Sequence, residues 1–165
     1  MAMDLTLSKA GDHAVRASIA LAGAWGDGRW VTIDDVAEEM DLPRSYTPQI
    51  LGMLARAGVV ESKPGRGGGY RLTRSPAKIS LLEVVEAAEG PIGTTRCPLA
   101  GGPCRWDDAC AVHATWHKAT EGVRSTLQRS SLQEVARADR ELGVGRRRRR
   151  AVKRPRVAGS TRPQR

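Results

Sequence analysis

The chain has 165 residues, 40% of them hydrophobic and 4% aromatic, and a formal net charge of +9. That length suits one compact domain, or a small domain with a dimerisation element and a tail, and without a run of about twenty apolar residues no transmembrane helix is expected. Ten of the 27 Lys and Arg, and none of the 18 acids, lie in 144–165, so residues 1–143 carry a net charge of −1 and the excess base belongs to the C-terminus.

At the N-terminus Asp4, Lys9, Asp12, His13 and Arg16 interrupt any apolar core of a secretion signal, so a cytoplasmic location is expected. Leu5 to Trp25 reads as a first helix, with apolar positions at Ala14, Val15, Ile19, Leu21 and Ala22 and a stop at Gly26-Asp27-Gly28. Thr32 is the expected N-cap of a short helix from Ile33 to Met40, which Asp41-Leu42-Pro43 breaks. Ser45 is the expected N-cap of a third helix, Tyr46 to Ala57, which accommodates Pro48 because first-turn amides have no intrahelical partner. Two short helices joined by a tight turn have the form of a helix-turn-helix. In that arrangement the start of the second helix, here Arg44, Ser45, Tyr46, Thr47 and Gln49, enters the major groove of DNA.

Val59 to Lys63 reads as a strand, Pro64 to Gly69 as a turn and Tyr70 to Thr73 as a returning strand, which together make a wing. Gly67 and Gly68 allow close approach to a phosphate or the minor groove, and Arg66, flanked by Lys63, Arg71 and Arg74, supplies charge. From Asp41 to Arg74 the bases Arg44, Arg56, Lys63, Arg66, Arg71 and Arg74 face only Asp41 and Glu61, a local excess of +4 on the expected reading surface. A nucleotide phosphate loop at Gly65 to Gly69 fails, because a strand follows it and no Gly-Lys-Ser/Thr is present.

Ser80-Leu81-Leu82-Glu83 has the capping-box pattern and opens a helix to about Ala88. Next comes a Gly- and Pro-rich loop that gathers all the cysteines, Cys97, Cys104 and Cys110, and leads to His113 in the first turn of another helix. Three soft thiolates and an imidazole suit a metal or iron-sulfur site; the plainer alternative is three ordinary reduced cysteines. His117, one turn on, reads as a surface or interface residue, while Trp106 and Trp116 either shield the site or pack. From Ala111, Val112, Trp116, Ala119, Val123 and Leu127 step by three or four along an amphipathic helix of about eighteen residues, suited to pack against its copy. A last helix spans Ser131 to Leu142, before a tail bearing Arg146 to Arg150, Lys153, Arg154 and Arg156 that reads as disordered. The expected fold is mainly α with a small β-wing. It divides into a winged helix-turn-helix domain (1–78), a cysteine loop with dimerisation helices (79–143) and a basic tail (144–165).

These residues resemble the Rrf-two family of bacterial winged-helix regulators. The resemblance runs from about Leu7 to Leu142 and is carried by Leu7-Ser8-Lys9 with Ala14-Val15, by Ser45-Tyr46, by Gly65-Arg66-Gly67-Gly68-Gly69-Tyr70-Arg71-Leu72, and by the spaced cysteines. It implies a homodimer on a roughly two-fold-symmetric operator in double-stranded DNA, with an iron-sulfur cluster on each subunit. Cys97, Cys104 and Cys110 match the family's cysteine ligands, although the first gap is six residues, one more than is common there. For the fourth ligand the resemblance leaves two choices. His113 matches the iron-sulfur-assembly branch and a 2Fe-2S cluster; Asp12, contributed by the partner's first helix, matches the nitric-oxide-sensing branch and a 4Fe-4S cluster. His113 with 2Fe-2S is preferred. The implied function is a transcriptional regulator, with repression the expected action, whose operator affinity follows a cluster sensing redox, nitric oxide or iron-sulfur status. The alternative is a zinc-stabilised or metal-free winged-helix DNA-binding protein that senses nothing. No hydrolytic triad, paired-carboxylate site or Cys-x-x-Cys pair is evident, so no enzyme is expected.

Overall fold

The structure, a computed structural model, describes residues 6–93 and 110–152, with side chains as far as residue 143. Helix α1 (Lys9–Gly23) starts at an N-cap Ser8, whose hydroxyl accepts from the Gly11 amide, rather than near Leu5. The shift has a local cause: the Ser8 amide itself donates to a carboxylate oxygen of Glu89 (2.8 Å), which turns the preceding chain out of helix. Helix α2 (Ile33–Met40) has the expected bounds, with a reciprocal capping box between Thr32 and Asp35. It ends at Asp41, which takes a left-handed conformation (φ 54°).

Helix α3 (Thr47–Arg56) begins later than expected and its N-cap residue is Tyr46, with no side-chain cap; Ser45 does not cap it. The reason is the Pro43 carbonyl. It accepts from the amides of Tyr46 and Thr47 (3.0 Å each) and from the Thr47 hydroxyl (3.0 Å), so the turn is closed by one acceptor instead of a serine side chain. Strand β1 (Val60–Lys63) then pairs antiparallel with β2 (Gly69–Leu72) in the register Val60 opposite Leu72 and Lys63 opposite Gly69. Val31 adds a further bridge to Tyr70, with reciprocal bonds of 2.9 and 2.8 Å, and so ties the wing to the segment that leads into α2.

Helix α4 (Leu81–Glu89) opens with the expected Ser80–Glu83 capping box. Helix α5 (His113–Arg129) has no fully buried residue. It lies on α4, where the Arg124 guanidinium donates to Glu86 (2.5 Å) and to the Ile92 carbonyl (2.8 Å). Helix α6 (Leu132–Val152) returns to the body: Leu132 donates to the Ile79 carbonyl (2.8 Å) and is fully buried. Its described backbone stays helical ten residues past the expected end at Leu142, through the arginine run, as suits a residue with high helix propensity. The helix thus takes the first part of the expected disordered tail; residues 153–165 lie outside the described residues.

One core joins these pieces. Ala14, Ala17, Ile50, Leu51, Leu54, Val36, Leu72, Ile79, Val84, Leu132 and Ala136 belong to a single buried cluster, so residues on both sides of the 78/79 division share it. Among the described residues no helix is long and apolar enough to cross a membrane. The mainly helical architecture with a two-stranded wing agrees with the expected fold class.

Gly69 marks the tightest point of the wing. Its φ is +146°, and a Cβ there would fall 2.4 Å from the Val31 carbonyl oxygen. Gly69→Ala is expected to cost about 2 kcal/mol or more and to lower the melting temperature by several degrees; thermal unfolding by circular dichroism measures it, and an unchanged midpoint would show that the Val31–Tyr70 bridge is not formed.

Candidate nucleic-acid interface and thiolate site

The expected DNA-reading side chains fall into three groups. Ser45 and Gln49 are exposed at the start of α3, and Arg66 and Gly67 are exposed at the tip of the wing. Arg56 is exposed too, but in the last turn of α3, at the opposite end from the turn. These groups are free to meet a duplex.

A second group is held by carboxylates. Arg44 sits 3.3 Å from Asp34, and the pair is largely exposed. Arg71 donates to Glu61 at 2.6 Å while its guanidinium lies 4.3 Å from the centre of the Trp30 ring. Lys63 lies 5.9 Å over the same ring, so Trp30 carries both cations of the wing stem. Arg74 pairs with Glu83, the capping residue of α4, and thereby joins the wing's end to that helix. Arg71 and Arg74 shape the wing, and Arg44 braces the turn against α2.

The third group is internal. Thr47 is 1% exposed and its hydroxyl is committed to Pro43, which corrects the expectation that it reaches a base edge. Tyr46 is half-buried with its ring edge-on to His13 (5.6 Å between centroids), so it packs the recognition helix onto α1. Gly68 is also structural: a Cβ there would lie 2.0 Å from the Lys63 carbonyl oxygen. Sequence reasoning missed Trp30 and the Pro43 carbonyl. The available signal for Trp30 was an aromatic between the Gly28 stop and the Thr32 cap, where an extended residue could pair with the wing.

Capping fixes the electrostatics of the two supporting helices. The Thr32 hydroxyl, and then its amide, hold Asp35 below the usual carboxylate range. The Ser131 amide and hydroxyl do the same for Glu134 at the start of α6. Glu39, at the end of α2, is raised by burial, with Asp35 and Asp139 adding to the effect and Arg29 opposing it.

Of the expected ligands, Cys97 and Cys104 lie outside the described residues. Cys110 is a free, half-buried thiol whose carbonyl accepts from the His113 amide (3.1 Å). The structure therefore brings Cys110 and His113 together at the root of α5. His117 follows one turn later, exposed, with its ring 6.2 Å from that of His113. Asp12 lies in the first turn of α1, half-exposed and bonded to Arg16 at 3.0 Å. Among the described residues no three potential ligands converge. Cys110 and His113 nonetheless stand on one turn, and a thiol and an imidazole are donors that suit a soft or borderline metal, so the described half of the donor set fits by its chemistry.

The sequence profile of the Rrf2 family, described as an iron-dependent transcriptional regulator, matches residues 7–138. The HTH-type transcriptional regulator IscR of Xenorhabdus nematophila is 33% identical over 140 residues, spanning 85% of this chain and 84% of that protein. Among solved structures, CymR, the global cysteine regulator of B. subtilis, superposes with a TM-score of 0.69 at 25% identity, covering 82% of this chain and 98% of that one. IscR of T. potens gives 0.66 at 26% identity, covering 86% and 93%.

The depressed Asp35 carboxyl predicts an acid-sensitive support for the helix-turn-helix. A lowered folded-state pKa contributes stability that is present above the ordinary aspartate value and lost as pH falls through the folded value. Asp35→Ala should lower the melting temperature at pH 7, and the gap to the unmodified protein should narrow as pH falls below about 4. Melting curves at pH 7 and at pH 3 decide it; a gap of equal size at both would mean that the charge on Asp35 is not what holds the cap.

Proposed function

Because the chain belongs to the Rrf2 family and is a transcriptional regulator, not an enzyme, we propose that it binds as a homodimer to a two-fold-symmetric operator, under control of an iron-sulfur cluster held by Cys97, Cys104, Cys110 and His113. The observation that carries the DNA-binding part is the exposed start of α3, pinned by three bonds to the Pro43 carbonyl, together with an exposed Arg66 in the turn of the wing. Such a rigid start presents Ser45 and Gln49 to base edges, while Arg66 meets phosphates. Its orientation is set from behind by Tyr46 on His13 and by the buried Ile50, Leu51 and Leu54.

Homodimerisation is supported by α5. In the single chain its apolar positions are only partly covered: Val112 is 39% exposed, and Val123 and Leu127 line an open groove of about 480 Å³ with Leu7, Val15, Leu81 and Val85. A helix of 17 residues, about 26 Å long, provides a seam along which a second copy buries this stripe. The spacing of the two recognition helices then follows from how α5 sits on α4, which the Arg124–Glu86 pair fixes.

The cluster reading is supported by the donor chemistry: every cysteine of the chain lies between Cys97 and Cys110, and His113 lies beside the last of them. When bound, a cluster supplies a centre whose charge and ligation change on oxidation or nitrosylation. His113 is favoured over Asp12 because Asp12 is engaged by Arg16, whereas His113 is carried on the same turn as Cys110. Preference for 2Fe-2S over 4Fe-4S follows from that choice and from the family resemblance.

Protein purified without oxygen should be coloured and contain iron and acid-labile sulfide. Separate Ser substitutions at Cys97, Cys104 and Cys110, and His113→Ala, should abolish the visible absorption, while Asp12→Ala should retain it. Operator duplex enriched from a randomised pool should be bound at least tenfold differently by the cluster-loaded and cluster-free forms, measured by fluorescence anisotropy under anaerobic conditions. Colourless protein with stoichiometric zinc or no metal would leave the DNA-binding reading and remove the sensing one; bleaching by Asp12→Ala instead of His113→Ala would reassign the fourth ligand.

A further inference from the structure

We propose that the C-terminal extension of α6 is a second, sequence-independent DNA contact, in which Arg146 to Arg150 engage the phosphates of the duplex flanking the operator. The proposal rests on the winged-helix reading for where the DNA lies, but it concerns a segment beyond the matched family region, which ends at residue 138.

Three observations carry it. The first is the charge budget: residues 1–143 have 17 bases against 18 acids, whereas 144–165 has ten bases and no acid. DNA affinity depends on cations that displace condensed counterions. In the described body, three bases of the reading surface, Arg44, Arg71 and Arg74, already face carboxylates. Much of the electrostatic work is therefore left to other residues.

The second observation is placement. Helix α6 packs on α1 through the buried Leu132 and Ala136, which belong to the same buried cluster as Val36 and Ala37 of α2. Helix α2 is the first helix of the helix-turn-helix. From Asp139 the backbone stays helical to Val152, so Arg150 lies about 16 Å further along the axis at 1.5 Å per residue. The arginine run thus continues from a point beside the DNA-binding unit.

The third is the absence of counter-charge within the helix. Neighbours on a helix surface lie three and four residues apart, and like charges there repel. Arg146 to Arg150 have no Asp or Glu at any such position, and Arg146 and Arg150 themselves stand four apart. A run of this kind gains nothing from its own helix and is matched by an extended polyanion. Duplex DNA is the one that the adjoining reading surface brings within reach.

The test compares the full chain with a variant carrying Arg146→Gln through Arg150→Gln, and with a charge-preserving variant carrying Lys at the same five positions; Gln and Lys both sustain a helix. Binding to a mixed-sequence duplex is followed by fluorescence anisotropy across a KCl series. The Gln variant should bind roughly 10- to 100-fold more weakly at low salt, and its slope of log K against log salt should be shallower by up to roughly 4 per chain, about 0.9 for each lost phosphate contact, while the Lys variant keeps the full slope. A slope change below about one contact's worth would overturn the proposal, as would absence of binding by the unmodified chain. An effect confined to a mixed-sequence RNA strand, with none on duplex DNA, would overturn it as well. Selection from a randomised duplex pool separates the two readings: enrichment of one sequence by all three proteins with an unchanged slope refutes the tail contact alone, whereas a slope change without any enrichment refutes the operator reading.

Discussion

The fold depends on how closely other helices can approach α1. Its buried positions include Gly11, Ala14, Ala17, Ser18 and Ala20, a succession of small residues that lets backbones come near without voids. At Gly11 the approach is limiting, since a Cβ there would fall 2.1 Å from the Glu89 carboxylate that accepts from the Ser8 amide. The end of α4 therefore meets the start of α1, at a position where a side chain would displace the Glu89 carboxylate. Helices α3, α4 and α6 all share this cluster, so a displacement of any one of them is felt by the helix that presents Tyr46's partner, His13.

The reading surface shows a division between charge that positions and charge that is available. Guanidinium groups at 71 and 74 are more than half covered and meet carboxylates, and Arg71 is additionally stacked on Trp30. Partly exposed ion pairs of this sort add little to stability, but they restrict rotamers. Their service is geometric: they hold the wing's stem so that the exposed Arg66 projects from a fixed base. A count of basic residues between Asp41 and Arg74 overstates the charge free to meet phosphates.

Local signals were the legible ones. Thr32 and Ser80 each announce a helix start by a cap and a carboxylate three residues on, and both capping boxes form; glycines 65 and 67 take the positive φ values that a wing turn needs. The start of α3 was misread because a serine in the right place competes with a backbone carbonyl that only the Asp41-Leu42-Pro43 turn brings into position. Trp30 and the carboxylate partners of Arg71 and Arg74 were invisible for a related reason: they are chosen by strand register and by packing across the wing, which sequence neighbours do not encode. The thiolate site was legible as composition, three cysteines and a histidine within 17 residues, but only its Cys110–His113 half falls among the described residues.

That half occupies a position with mechanical consequence. His113 is the first residue of α5, and ten residues of helix separate it from Arg124, which grips Glu86 and the Ile92 carbonyl just before the cysteine loop begins. The described residues on either side of 94–109 both meet α5: Ile92 through Arg124, and Cys110 through its bond to the His113 amide. Because α4 shares the core with α1 and α3, the grip of Arg124 links α5 to the helices that carry the recognition helix.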